Sequence, residues 1–187
     1  MIELEDSAQQ LRKLKLKWLK QMSKLIAFDQ ALNTTGYSIF EDGSLVSYDK
    51  FTTSDTSTAE KLKEIRGFII ELFKTHKPSK VAFEEIQLQQ IPGTTAHGNV
   101  ETFKKLAYVQ AILLETLVEF NIPYEIVSSN TWKSTCKIRG RARAEQKRNA
   151  QKYVEAEFGV KAIQDICDSI CIGKHVIEMD SKEINWG

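Results

Sequence analysis

Four carboxylates, Asp29, Glu84, Asp165 and Asp168, occupy positions where a charge needs a reason. Asp29 closes the apolar run Leu25-Ile26-Ala27-Phe28, and Glu84 closes Val81-Ala82-Phe83. Asp165 and Asp168 lie three apart among Ile163, Ile166, Cys167, Ile170, Cys171 and Ile172, so on a helix they project together. A carboxylate at the end of a buried strand is costly unless something stabilises its charge, usually a metal ion. Several such groups brought to one point repel one another and take up divalent cations to relieve it. Oxygen-only ligands favour Mg²⁺ or Mn²⁺ over Zn²⁺. Two such ions about 4 Å apart can activate a water and stabilise the leaving oxygen of a phosphodiester. Singly, each acid has an ordinary explanation: Asp29 could cap a turn, Glu84 could pair with a lysine and Asp165 could cap the last helix. Their joint order, hairpin-strand acid, strand acid and then helical Asp-x-x-Asp, points to one site.

A second group of residues suits a polyanion. Lys133, Lys137, Arg139, Arg141, Arg143, Lys147, Arg148 and Lys152 are set against the single acid Glu145, with Gly140 dividing the stretch into a loop and a helix start. Arginine-rich segments with Ser and Thr nearby suit phosphate contacts, so this stretch is expected to bind nucleic acid. The net charge of the whole chain is only +1, so it is the distribution of charge that argues for this partner.

These residues need a scaffold, and the pattern around them predicts one. Leu25 to Asp29 reads as a buried strand, Gly36 to Phe40 as an alternating one, and Asp42-Gly43 as the turn into a third, Leu45 to Phe51. Ser57-Thr58-Ala59-Glu60 has capping-box spacing and opens a helix that ends by Lys77-Pro78. Val81 to Phe83 is a short strand, and Gln87 to Gly98 a polar loop broken at Pro92-Gly93. A long helix from about Val100 to Phe120 carries one broad apolar face, Phe103, Leu106, Ala107, Gln110, Ala111, Leu114, Leu117 and Val118, for the sheet and a second subunit. Pro123 to Val127 is a strand, Ser128-Ser129-Asn130 caps a short helix at Trp132, and a final helix spans about 162 to 176.

A chain of 187 residues with 42% hydrophobic content is expected to be one α/β domain with a sizeable core. No run of about eighteen apolar residues exists, so no membrane span is expected. Cys136, Cys167 and Cys171, without a secretory signal, suggest a reducing, intracellular setting; they read as buried apolar residues. Residues 1–21 hold Leu11, Leu14 and Trp18 on one stripe among lysines, a basic extension before a domain of residues 22–187.

Ile26-Ala27-Phe28-Asp29 with Gly36-Tyr37, Val81-Ala82-Phe83-Glu84 and Asp165-Ile166-Cys167-Asp168 together resemble the motifs of the RuvC-type Holliday junction resolvases, over residues 24 to 176. The resemblance implies a ribonuclease H-like fold: a mixed five-stranded sheet flanked by helices, its first three strands antiparallel. It implies a homodimer that nicks four-way DNA junctions in symmetric pairs with Mg²⁺ or Mn²⁺. The family's catalytic lysine would fall at Lys133 or Lys147. Bacterial members commonly carry Asp-Pro-Gly where this chain has Asp29-Gln30-Ala31, and an aromatic wedge where it has Gln87, which then faces the DNA. Those departures suit a small phage-type relative with a broader appetite for branched DNA. A non-catalytic branched-DNA-binding module would share the basic stretch but gain nothing from four acids beside a phosphate backbone. An ATPase or sugar-kinase lobe would need glycine-rich phosphate loops, and the chain holds nine glycines in all.

Overall fold

The computed structural model describes residues 23–88 and 100–185, with side chains as far as residue 182. The chain runs β1 (Lys24–Asp29), β2 (Thr34–Glu41), β3 (Ser44–Thr52), α1 (Thr58–His76), β4 (Lys80–Glu84), α2 (Val100–Glu119), β5 (Tyr124–Val127), α3 (Ser129–Thr135), α4 (Arg143–Phe158) and α5 (Gln164–Asn185). The five strands form one sheet in the order β3-β2-β1-β4-β5. The first three are antiparallel, while β1–β4 and β4–β5 are parallel, giving the expected mixed sheet.

Strand alternation decides what each face of the sheet sees. Ile26 and Phe28 of β1, Ile39 of β2, and Val81 and Phe83 of β4 enter one core with Ile65, Ile69 and Phe73 of α1 and Val109, Leu113 and Leu117 of α2. Leu25, Ala27, Phe40 and Ala82 enter the other, with Trp132, Cys136, Ala150, Val154, Ile166, Cys167, Ile170 and Cys171 from α3, α4 and α5. Fully burying a side chain such as Phe28 or Phe83 contributes roughly 2 kcal/mol. Several of these contributions in the central strands help to offset the cost of the charges placed at their ends.

Helix α5 packs across this second face, and small residues let it approach. An added Cβ at Gly36 would overlap the backbone carbonyl of Asp165, and one at Gly173 would overlap the ring of Phe40. Between them, the Ser38 hydroxyl donates to the Ser169 carbonyl at 3.0 Å in a buried position. Every second residue of β2 therefore meets every fourth residue of α5. Alternate strand residues are spaced about 6.8 Å apart and successive helical turns of four residues about 6.0 Å, close enough for three contacts in a row.

The sequence expectations hold for most elements, with several differences. The Ser57 side chain accepts from the Glu60 backbone at 3.2 Å, as the capping spacing implies, and Lys77 ends α1 in the left-handed region. Ser128 occupies the N-cap of α3, but its side chain makes no capping hydrogen bond. The last helix runs to Asn185, well past the expected 176: Ile177 and Met179 stay half-buried, and Asp180 pairs with Lys80 of β4 at 2.9 Å. Of the apolar face expected for α2 only Leu117 is fully buried; Val109 and Leu113, outside that face, join it against the sheet and α1, whereas Tyr108 and Val118 are 48% and 74% exposed. The three cysteines are buried and free. Among the described residues no helix is long and apolar enough to cross a membrane. The basic extension, residues 1–21, and all but the first two residues of the Gln87–Gly98 loop lie outside the described residues.

Candidate active site at the sheet end

Asp29 continues the β1 alternation Leu25, Ala27, Asp29 and so projects toward α5. Glu84 does the same on β4 after Ala82. The strands run parallel with Ala27 opposite Ala82 and Phe28 opposite Phe83, so Asp29 and Glu84 come next in line at the same sheet end. Glu85 lies one residue out of phase and is exposed; its carboxylate accepts from the Gln87 side chain at 2.9 Å. Geometry thus selects Glu84. Asp29 pairs with Gly36 across β1 and β2, and Gly36 lies directly against Asp165 in the first turn of α5. All four acids are half-buried.

Their proximity is visible in the electrostatics. The Asp29 carboxyl is pushed well above its ordinary range, first by burial and then by repulsion from Asp168, Glu84 and Asp165, with Lys147 pulling the other way. The Asp168 carboxyl is raised to about 6, mainly by burial; a hydrogen bond from Gln164 and the charge of Lys133 oppose the rise. That bond, from Gln164 Nε2 to Asp168 Oδ1, is 2.6 Å long. Mutual repulsion among buried carboxylates is the condition that a cation relieves, and the donor set is all oxygen, which suits a hard divalent ion. The residues therefore fit a hard divalent cation by charge and donor chemistry. Among the described residues, no three Asp, Glu, His or Cys side chains stand close enough to form a finished cage.

Supporting contacts fix the acids. The turn after Asp29 is closed by Thr35, whose hydroxyl donates to the Ala31 carbonyl at 2.9 Å. Gln30 is 5% exposed and donates through Nε2 to the Glu84 backbone carbonyl at 2.6 Å, tying the ends of β1 and β4 together. Among the described residues its own side-chain carbonyl oxygen is buried without a partner. Trp132, 2% exposed, donates from its indole N–H to Glu84 Oε1 at 3.0 Å. Sequence reasoning marks Gln30 only as a departure from relatives and Trp132 only as a helix position. A tryptophan in the polar run Ser128 to Ser134 is a signal that could have been used, because a buried indole N–H requires an acceptor.

The basic stretch is held open by its own side chains. Asn149 donates to the Arg139 carbonyl at 2.6 Å and Gln146 to the Gly140 carbonyl at 2.9 Å. Glu145, the only acid there, accepts the Arg141 backbone N–H at 3.0 Å. Lys137, Arg139, Arg141, Arg143, Lys147 and Arg148 are exposed, and Lys133 is half-buried. Among the described residues, ion pairs form elsewhere and none uses these seven cations. Lys133 and Lys147 are the two that act on the acids, Lys133 on Asp168 and Lys147 on Asp29. Gln87 is exposed beyond Glu84.

A mixed sheet with this order, one pair of acids at the ends of two adjacent parallel strands and a second pair on the helix across them, defines a ribonuclease H-like fold. Thermus thermophilus RuvC, solved with a Holliday junction substrate, superposes with a TM-score of 0.63 at 14% identity, covering 85% of this chain and 96% of that one. The yeast mitochondrial Holliday junction resolvase superposes with a TM-score of 0.56 at 13% identity, covering 86% and 80%. In sequence, the chain is 29% identical over 157 residues to the crossover junction endodeoxyribonuclease RuvC of Ehrlichia chaffeensis, covering 80% of this chain and 92% of that protein. It is 27% identical over 109 residues to the RuvC of Halorhodospira halophila, covering 54% and 59%. No family model matches the sequence. In sequence the chain is thus similar to RuvC proteins, and in fold to RuvC and the yeast mitochondrial resolvase.

Proposed function

We propose that this chain is a metal-dependent, structure-specific DNA endonuclease that resolves four-way junctions, and other branched DNA, by paired nicks. The observation that carries the reading is the approach of Glu84, Asp165 and Asp168 to Asp29, whose carboxyl is raised first by burial and then by their repulsion, beside a stretch of exposed cations. The RuvC relatives support it, since they are named as crossover junction endodeoxyribonucleases.

In this reading the four carboxylates would hold Mg²⁺ or Mn²⁺, which when bound supplies an activated water and charge stabilisation at the leaving oxygen. The chain's own groups do the rest. Lys137, Arg139, Arg141, Arg143 and Arg148 bind flanking phosphates, and Gln87 meets the DNA beyond β4. Lys133 and Lys147, on the helices that border the acids, bring a phosphodiester to an otherwise repulsive site. Two copies are needed for paired nicks. The exposed side of α2, with Tyr108 and Val118, is apolar enough to contribute to a dimer. A DNA substrate also places the protein inside a cell.

The deciding experiment incubates the protein with end-labelled four-way, three-way and linear duplex DNA, with Mg²⁺, with Mn²⁺ and with chelator. Symmetric nicks at junctions only with metal are expected. Junction binding without cleavage under either metal would reduce the protein to a branched-DNA-binding module. Replacing Arg139, Arg141 and Arg143 by alanine should weaken junction binding and flatten its dependence on salt, by about one unit of slope for each phosphate no longer neutralised. An unchanged slope would clear the loop of a role at the DNA backbone.

A further inference from the structure

Trp132 touches both kinds of charge at the site. Its indole N–H donates to Glu84 Oε1 at 3.0 Å, and the Lys133 Nζ lies 5.2 Å from the centre of its ring. A cation within about 6 Å of an indole face is attracted by the ring quadrupole. The indole is therefore bonded to a β4 carboxylate through its edge and holds, against its face, the lysine whose charge acts on Asp168.

The helix that carries it is itself fixed. Thr135 Oγ1 and His175 Nδ1 lie 2.7 Å apart, joining α3 to the middle of α5. The Cys136 thiol lies 3.7 Å from the Cys171 carbonyl of the same helix. Trp132 thus sits on a short helix anchored to α5, which bears Asp165 and Asp168, and reaches across to β4, which bears Glu84. It spans the two parts of the fold that must be held at a set separation for four carboxylates to share ions.

We infer that Trp132 is a positioning residue, orienting Glu84 through its N–H and Lys133 through its ring face, so that the site is set for divalent metal. This rests on the nuclease reading only for its consequence in catalysis; its consequence for metal binding does not. A buried indole N–H needs some acceptor, and a merely structural tryptophan would spend its bond on a backbone carbonyl. Here it goes to a charged oxygen of the site, a class of contact that orients ligands around metals.

The test is Trp132→Phe, which keeps an aromatic ring and removes the N–H, with Trp132→Leu, which removes both interactions. Loss of a partner that orients a ligand costs about 10- to 100-fold in metal affinity or activity. In Trp132→Phe the Mn²⁺ midpoint, read by calorimetry without DNA, should rise about tenfold, and junction turnover should fall by a similar factor. Junction affinity without metal should stay within about twofold. Trp132→Leu should lose more turnover than Trp132→Phe. A lowered melting temperature with an unchanged Mn²⁺ midpoint would overturn the inference and leave Trp132 a packing residue. If the wild-type chain cleaves nothing, the endonuclease reading falls, and the Mn²⁺ midpoints still decide this one. If neither variant folds, the indole N–H resonance of Trp132 in the wild-type chain replaces them, assigned with Trp18→Phe and Trp186→Phe. Its displacement on addition of Mg²⁺ supports the inference, and an unmoved resonance overturns it.

Discussion

Replacing Asp29 by asparagine should make the metal-free protein more stable at neutral pH while abolishing junction cleavage. The two effects have one origin. Burial and three neighbouring carboxylates raise the Asp29 carboxyl in the folded state, so its ionised form is disfavoured there relative to the unfolded chain. For an acid with a raised folded pKa, stability is full below the unfolded pKa and is lost as the pH rises through the folded one. Asp168 gives the window: its carboxyl moves from 3.8 to about 6, so stability should fall between those values as the metal-free protein is titrated upward. A shift of that size corresponds to at most about 3 kcal/mol, less for a half-buried group. Thermal melts in chelator from pH 4 to 8 should therefore show a declining melting temperature in the wild type and a flatter profile in Asp29→Asn and Asp168→Asn. Added Mg²⁺ should restore wild-type stability at neutral pH, in line with mass action. Full cleavage by Asp29→Asn would remove Asp29 from the mechanism, and a steeper fall of stability with pH in the variant would refute the electrostatic account.

Gly36→Ala should damage the protein more than any other single methyl group at the sheet end. The new Cβ would overlap the backbone carbonyl of Asp165, and backbone, unlike a flexible side chain, cannot swing aside. Overpacking of this kind costs typically about 1–3 kcal/mol, and relief requires the first turn of α5 to lift off β2. That turn carries Asp165, with Asp168 one turn on, so cleavage should fall by at least about a hundredfold, since a displacement of about 1 Å near reacting groups costs that much. Urea unfolding and junction cleavage, measured side by side, check both parts. Gly67→Ala is the control, because an added Cβ there meets nothing within 4 Å; a full-activity Gly36→Ala would show that the approach of α5 is not what sets the acids.

Much of this was legible in the sequence for local reasons. An apolar run ending in an acid is written in adjacent residues, and strand alternation alone puts Asp29 and Glu84 on the same face once their strands are parallel neighbours. The capping serine and the turn at Asp42-Gly43 are local as well. What escaped depends on distant partners. Gly36 is part of a motif, but its role as a gap under Asp165 exists only after α5 has docked. Gln30 looks like a substitution in a turn until its amide is seen to grip the end of β4. The length of α5 was underestimated because the residues past Val176 turn polar, and the partner that holds one of them, Lys80 on β4 for Asp180, is a hundred residues away in sequence. The face of α2 was misplaced for the converse reason: apolar residues predict burial only if something covers them, and Val118 is left uncovered while Val109 and Leu113 are buried.

The row of contacts between β2 and α5 has a consequence for the order in which the site is made. The Ser38–Ser169 bond joins residues 131 positions apart, and loop closure over such a distance comes late in folding. During synthesis β1, β2 and β3 can pair as local hairpins long before α5 leaves the ribosome, and the arginine-rich stretch emerges before α5 as well. A partly made chain could thus hold a polyanion before it owns Asp165 and Asp168. Because α5 completes the acid set, any capacity to cut DNA waits until α5 has been translated and docked on the sheet.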